Sequence, residues 1–395
     1  MPAASDPGAE RGRSLSPPGL LFAALALAAL ALPFLTLRAN RIVAGEGLMF
    51  WDCAPSGSVI AGGVALAAGL ALGIPAGAPL RRLGGSLLGL AGLIFVLVQG
   101  ASAQLDGAGD LARVSPAAGA WCLLLVLMLL MADALAQLNP GPRARAGLLA
   151  LMLVALLALL WSGTLSDLSV MQEFTSRKNA FRSAALRHLA LALGSLGAAA
   201  AIGFPLGILC HRNAALRGAA LPVLSFLQTI PSLAMFGIMI PILGWLAAAS
   251  PAARAIGIAG IGFAPAFIAL VLYALLPVVA NTVTGLAATP PAAIEAARGM
   301  GMTGAQRLWK VELPLAMPVI LAGLRIVLVQ NIGLAVIAGL IGGGGFGSFV
   351  FQGLNQTATD LILLGALPTV VMALVAAIVM DILVDLARRI PEPLP

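Results

Sequence analysis

Charge is scarce in this chain of 395 residues: Asp, Glu, Lys and Arg together supply only 9% of it. With 61% hydrophobic residues beside so few charges, an ordinary soluble domain is excluded, because its surface would lack polar cover. Aromatic residues make up 5%, and the outer loops offer little beyond Phe50, Trp51, Phe174 and Phe181 for an aromatic cage around a cation. Cys53, Cys122 and Cys210 stand far apart with no CxxC or Cys/His spacing, so neither a zinc site nor a disulfide framework follows. His188 and His211 each sit at the edge of an apolar run, where a histidine is interfacial more often than it is a ligand. Lys178 precedes Asn and Lys310 precedes Val, so no GxxxxGK[ST] phosphate loop exists and the chain carries no ATPase site of that type.

What the chain has instead is apolar runs, with a mean hydropathy of +1.05. They fall at 20–37, 58–78, 83–103, 117–138, 146–163, 188–210, 217–246, 255–283, 314–341 and 360–387, each long enough to cross a bilayer as a helix. The expected fold is therefore all-α, a polytopic integral membrane protein of about ten transmembrane helices. The run Leu20–Leu37 lacks a small-x-small cleavage site before Arg38 and reads as the first span rather than a signal peptide.

Composition divides the chain into a flexible cytoplasmic tail (1–19), an extension of about five spans (20–163), an extracytoplasmic linker (164–187) and a core of about five spans (188–390). In the extension, Gly62, Gly63, Gly69, Gly73 and Gly77 suit close helix packing in lipid. In the core, Pro205, Pro222, Pro231, Pro241, Pro265, Pro277, Pro318 and Pro368 each remove a backbone hydrogen bond, and the freed carbonyls need partners or a water-filled cavity.

The net charge of +7 is spread singly or in pairs between apolar runs, which fits membrane topology and not nucleic acid. With the N-terminus cytoplasmic, the inner set is Arg11, Arg13, Arg81, Arg82, Arg143, Arg145, Arg212, Arg217, Arg298, Arg307, Lys310, Arg388 and Arg389. It outnumbers the outer set of Arg38, Arg41, Arg113, Arg177, Lys178, Arg182, Arg187 and Arg254, as the positive-inside bias requires. Both termini then lie in the cytoplasm.

One stretch, 290–314, is a polar island that gathers Glu295, Arg298, Arg307, Lys310 and Glu312. Its pattern predicts a helix from Pro290-Pro291 to about Arg298, a glycine break at Gly301, a second helix capped by Thr303 and a stop at Pro314. The spacing EAA, three residues, Gly, nine residues, aliphatic-x-Leu-Pro (Glu295, Ala296, Ala297, Gly301, Val311, Leu313, Pro314) resembles the cytoplasmic coupling loop of ABC-importer permeases. Val311 stands where that pattern has isoleucine, a loss of one methylene.

Further stretches are similar to the glycine betaine, choline and carnitine branch of those permeases, a type I importer core in the C-terminal half: Leu206–Leu209, Leu227–Ala234, Ala269–Pro277 and Leu340 onward. The resemblance implies a bacterial inner-membrane subunit working with ATPase subunits that bind the ATP, a second permease copy or paralogue, and an extracytoplasmic solute-binding protein. No cofactor is expected on this chain. Glu295, Ala296, Ala297, Arg298, Gly301, Arg307, Val311, Leu313 and Pro314 are the coupling residues it implies.

Gln228, Pro231 and Tyr273 in the similar stretches, and Gly344 in an outer glycine-rich turn, are candidate pathway or gate positions. Arg325 is costly inside a span unless it reaches a partner, a carbonyl or water. Gln330 and Asn331 are placed to line a pathway or to bond between helices. The rival class is a secondary transporter or channel driven by an ion gradient. It would bury a carboxylate or histidine at mid-membrane, whereas Asp133, Asp381 and Asp385 lie near span ends.

Overall fold

The structure, a computed structural model, describes residues 15–40, 43–109 and 111–388. The expected tail up to residue 14, with Arg11 and Arg13, lies outside the described residues, as do Arg41 and Arg389. Two compact units are present, Met1–Gly141 with Met152–Thr175, and Pro142–Leu151 with Ser176–Pro395.

The first unit contains α1 (Pro17–Ala29), β1 (Leu35–Arg38), β2 (Glu46–Leu48), α2 (Ser56–Gly73), α3 (Pro79–Leu105), β3 (Arg113–Pro116), α4 (Ala118–Leu138), the second half of α5 (Pro142–Trp161) and α6 (Ser169–Ser176). Small residues let α2 and α3 touch backbone to backbone: a Cβ on Gly69 would collide with the main chain of Gly85 and Gly89. Gly62 and Gly73 are likewise closed in by Val96 and Leu130, whereas Gly77 takes no part in packing and sits in a turn at φ +69.

Arg82, expected in a solvated inner loop, is only 1% exposed. It pairs with Asp133 and donates to the α2-end carbonyls of Gly73 (3.1 Å) and Pro75 (3.4 Å), so one guanidinium ties together the ends of three helices.

The expected first span, Leu20–Leu37, is not a single helix. Ser16 caps α1, but the helix stops ahead of Pro33 and the chain becomes a strand. Thirteen helical residues reach only about 20 Å, short of a hydrocarbon core of about 30 Å. Yet Ser16 N–H bonds Ile74 O at one end of α2, and Gly119 N–H bonds Pro33 O at the start of α4, both at 2.8 Å. The stretch 16–33 thus runs the full height of its neighbours. Among the described residues nine helices are long and apolar enough to cross a membrane, and α1 is a shorter apolar helix beside them.

A three-stranded antiparallel sheet, ordered β2-β1-β3, closes the other end of this unit. Its strands are three or four residues long, too short to leave an alternating pattern in the sequence. Beneath it Phe34 meets Phe50 edge-on at 5.0 Å, and Cys53 is fully buried with its Sγ donating to Phe50 O at 3.1 Å. Burial pushes that thiol up from 9.0 to about 11.

The second unit holds the first half of α5, then α7 (Lys178–Arg212), α8 (Ala214–Thr229), α9 (Ser232–Ala249), α10 (Pro251–Ala255), α11 (Phe263–Ala287), α12 (Pro291–Gly299), α13 (Gly304–Arg307), α14 (Leu313–Leu334), α15 (Gly347–Asn355) and α16 (Thr359–Arg388). A π turn, 308–312, leads into α14 and a 3₁₀ turn, 337–341, follows it. The expected single run 217–246 is divided, because Pro231 stops α8 and starts α9. Helix α11 is the centre of the unit, with Ala266, Ala269, Leu270, Ala274 and Val279 fully buried.

Candidate functional site

The polar island folds as an elbow. Helix α12 ends as Gly301 takes φ +74, while Gly301 N–H bonds Arg298 O (2.9 Å) and Met302 N–H bonds Ala297 O (3.1 Å). These are the two bonds of a Schellman motif, which satisfies carbonyls the helix end would leave bare. A Cβ at Gly301 would meet nothing within 4 Å, so the glycine is required by its φ and not by space. Thr303 then caps α13 in a capping box: Thr303 N–H donates to Gln306 Oε1 (2.9 Å) and Gln306 N–H to Thr303 Oγ1 (3.3 Å).

The expected stop at Pro314 does not occur. The chain passes from α13 through the π turn directly into α14, with Pro314 in its first turn. There the missing proline N–H does little harm, since the wide turn before it already interrupts the regular ladder.

Of the coupling positions, Glu295, Ala296 and Arg298 are exposed on α12, and Ala297 points inward at 1% exposure. Val311, Leu313 and Pro314 are half-buried, and Leu313 packs against the cluster of Leu286, Leu308, Ala316 and Ile320. Arg307 Nε donates to Glu312 Oε1 at 2.6 Å. Sequence reasoning passed over Met300 and Trp309, which are 68% and 65% exposed on this elbow.

The candidate pathway residues separate into groups. Gln228, Pro231 and Tyr273 come together: Gln228 Nε2 donates to Tyr273 O at 2.6 Å, and the Tyr273 hydroxyl donates to Ile230 O, next to Pro231. Arg325 finds its counter-charge in Asp381, which also accepts from Arg145 at 3.1 Å, while Arg145 reaches Asp385 at 3.0 Å. Asn331 bonds Ser195 Oγ at 2.8 Å, and Gln330 is half-buried beside it. Gly344, at φ +81, bends around Arg187.

His188, read as interfacial, is instead fully buried. Its Nδ1 accepts from Phe346 N–H (3.3 Å) and its Nε2 donates to Ile332 O (3.0 Å). One imidazole thereby serves an orphan carbonyl at the end of α14 and an orphan N–H at the start of α15. No signal short of the fold reveals this, because the three segments are distant in sequence.

Residues 16–171 match the family described as "ABC transporter permease YehY, N-terminal domain", and residues 203–390 match "Binding-protein-dependent transport system inner membrane component". The osmoprotectant import permease protein OsmW of Salmonella typhimurium is 42% identical over 49% of this chain and 85% of its own length. The carnitine transport permease protein OpuCB of Listeria monocytogenes is 41% identical over 48% of this chain and 79% of its own. A solved structure of the MetNI methionine ABC transporter, inward facing, aligns over 52% of this chain and 95% of its own at 24% identity and a TM-score of 0.46.

Proposed function

Since the chain belongs to the family of inner-membrane components of binding-protein-dependent transport systems, we propose that it passes a compatible solute such as glycine betaine, choline or carnitine into the cytoplasm. It is a transport component and not an enzyme, and ATP is used through a partner subunit. The solute class is supported by relatives that transport osmoprotectants or carnitine. The single observation that carries the coupling role is the elbow, which leaves Met300 and Trp309 exposed beside the exposed Glu295, Arg298 and Lys310.

In this reading the elbow lies in the cytoplasm and fits a groove on the ATPase. Both termini are cytoplasmic, in keeping with the ten spans expected from the sequence and the inner excess of basic residues. Two permeases act as a pair, the usual closed arrangement for one permease per ATPase. An extracytoplasmic binding protein delivers the solute, so selectivity does not rest on the membrane path alone.

ATP draws the ATPases together, and the elbows around Glu295–Gly301 move with them. The spans tilt outward-facing, receive solute and reset after hydrolysis. Gln228, Pro231, Tyr273, Arg325, Gln330, Asn331 and Gly344 are proposed to border or brace that path. An ion-gradient mechanism is disfavoured because Asp133 and Asp381 are already engaged by Arg82, Arg325 and Arg145.

The test is uptake of radiolabelled betaine and choline into proteoliposomes holding this permease with its ATPase and binding protein, for wild type and for Met300→Ser with Trp309→Ser. ATP-dependent uptake that the double variant loses, along with ATPase binding, supports the reading. Uptake that proceeds without ATP and follows an ion gradient overturns it.

A further inference from the structure

In the π turn 308–312, Leu313 N–H reaches back five residues to Leu308 O, so this turn holds one residue more than an α-helical turn would. Arg307 and Glu312 are also five apart, and they meet through Nε, the guanidinium nitrogen nearest the backbone and so the one with least reach. In an α-helix residues five apart point about 140° away from each other around the axis. The ion pair therefore belongs to the wide turn. Glu312 is 5% exposed, and without Arg307 its carboxylate would be buried with no counter-charge. Pro314, just beyond, donates no hydrogen bond that would stiffen the junction.

We propose that Arg307 and Glu312 form a clasp that holds the turn open, and that releasing it lets the turn tighten to α-helix. Expelling one residue from the turn rotates α14 against the elbow by about 100°. Resting on the importer reading above, this makes the two side chains positioning residues: they set how a displacement of the elbow becomes a rotation of the span behind it. The closed clasp and the tightened turn are the two states of a bistable element, which a coupled transition requires.

The test begins with the full-length permease in nanodiscs, spin-labelled at the exposed positions Ala305 and Leu315 on either side of the turn. The label separation should shift in Glu312→Gln and Arg307→Gln and return to the wild-type value when the charges are exchanged, Arg307→Glu with Glu312→Arg. A separation that does not move in the single variants, or that moves and is not restored by the exchange, overturns the clasp. In proteoliposomes with the ATPase, solute imported per ATP should fall about tenfold in Glu312→Gln, with ATPase binding retained. An unchanged ratio overturns the coupling role. Wild-type vesicles without ATP-driven uptake would defeat the importer reading, while the label separations still decide the clasp.

Discussion

Gln228 Nε2 donates to the carbonyl of Tyr273 at 2.6 Å, and that carbonyl is the one Pro277 leaves without its helical donor four residues on. The glutamine of one helix thus replaces a hydrogen bond that a proline removed from another. Gln228→Leu should leave the oxygen unpaired and cost about 1–3 kcal/mol, read as a lower melting temperature in detergent. Adding Pro277→Ala restores the backbone N–H, so the double variant should recover most of the loss. Strict additivity of the two changes would show that the bond does not matter.

Gly301→Val should weaken the elbow, since a left-handed conformation costs a side chain about 1–2 kcal/mol. Gly301→Asn should be milder, because asparagine visits that region more readily. Co-purification of the ATPase measures the effect. Equal loss with both substitutions would mean that space, not φ, constrains the position.

Asp381 is shared by Arg325 and Arg145, so Asp381→Asn strands Arg325 while Arg145 keeps Asp385, and Arg325→Gln strands no charge because Asp381 keeps Arg145. The yield of folded permease in membranes should drop further for the first. A larger drop for Arg325→Gln would contradict the arrangement.

The Cys53 thiol, held protonated by burial up to about pH 11, should react slowly with maleimide at pH 8. Above its ordinary pKa of 9.0 an unfolded chain gives up a proton that the folded one keeps. The end of the unit around Cys53 is therefore expected to lose stability as pH rises from 9.0 toward about 11. Hydrogen exchange at β1 that stays constant across this window would refute the prediction.

Spans and elbow were legible because each is written locally: apolar length for the helices, and Gly301 and Thr303 for the breaks. The clasp was not, since Arg307 and Glu312 meet only when the helix departs from 3.6 residues per turn, and nothing in the spacing announces that departure. Nor was the partner of Arg325. An arginine inside a span signals that a counter-charge exists, but Asp381 is supplied by another helix of the second unit. Strands of three or four residues, and an imidazole that joins three distant segments, belong to tertiary structure alone.

The shortness of α1 also shifts where its backbone must find hydrogen-bond partners. Backbone that leaves the helix before Pro33 would be intolerable in hydrocarbon, yet Pro33 O, Phe34 N–H and Phe34 O are taken up by Gly119, Leu48 and Ala117. The sheet and the start of α4 thus supply the hydrogen bonds that the missing helical turns of α1 would have made. A substitution that breaks the sheet would therefore leave apolar-flanked backbone polar groups bare just where the helix ends, a cost that hydrocarbon makes larger than water does.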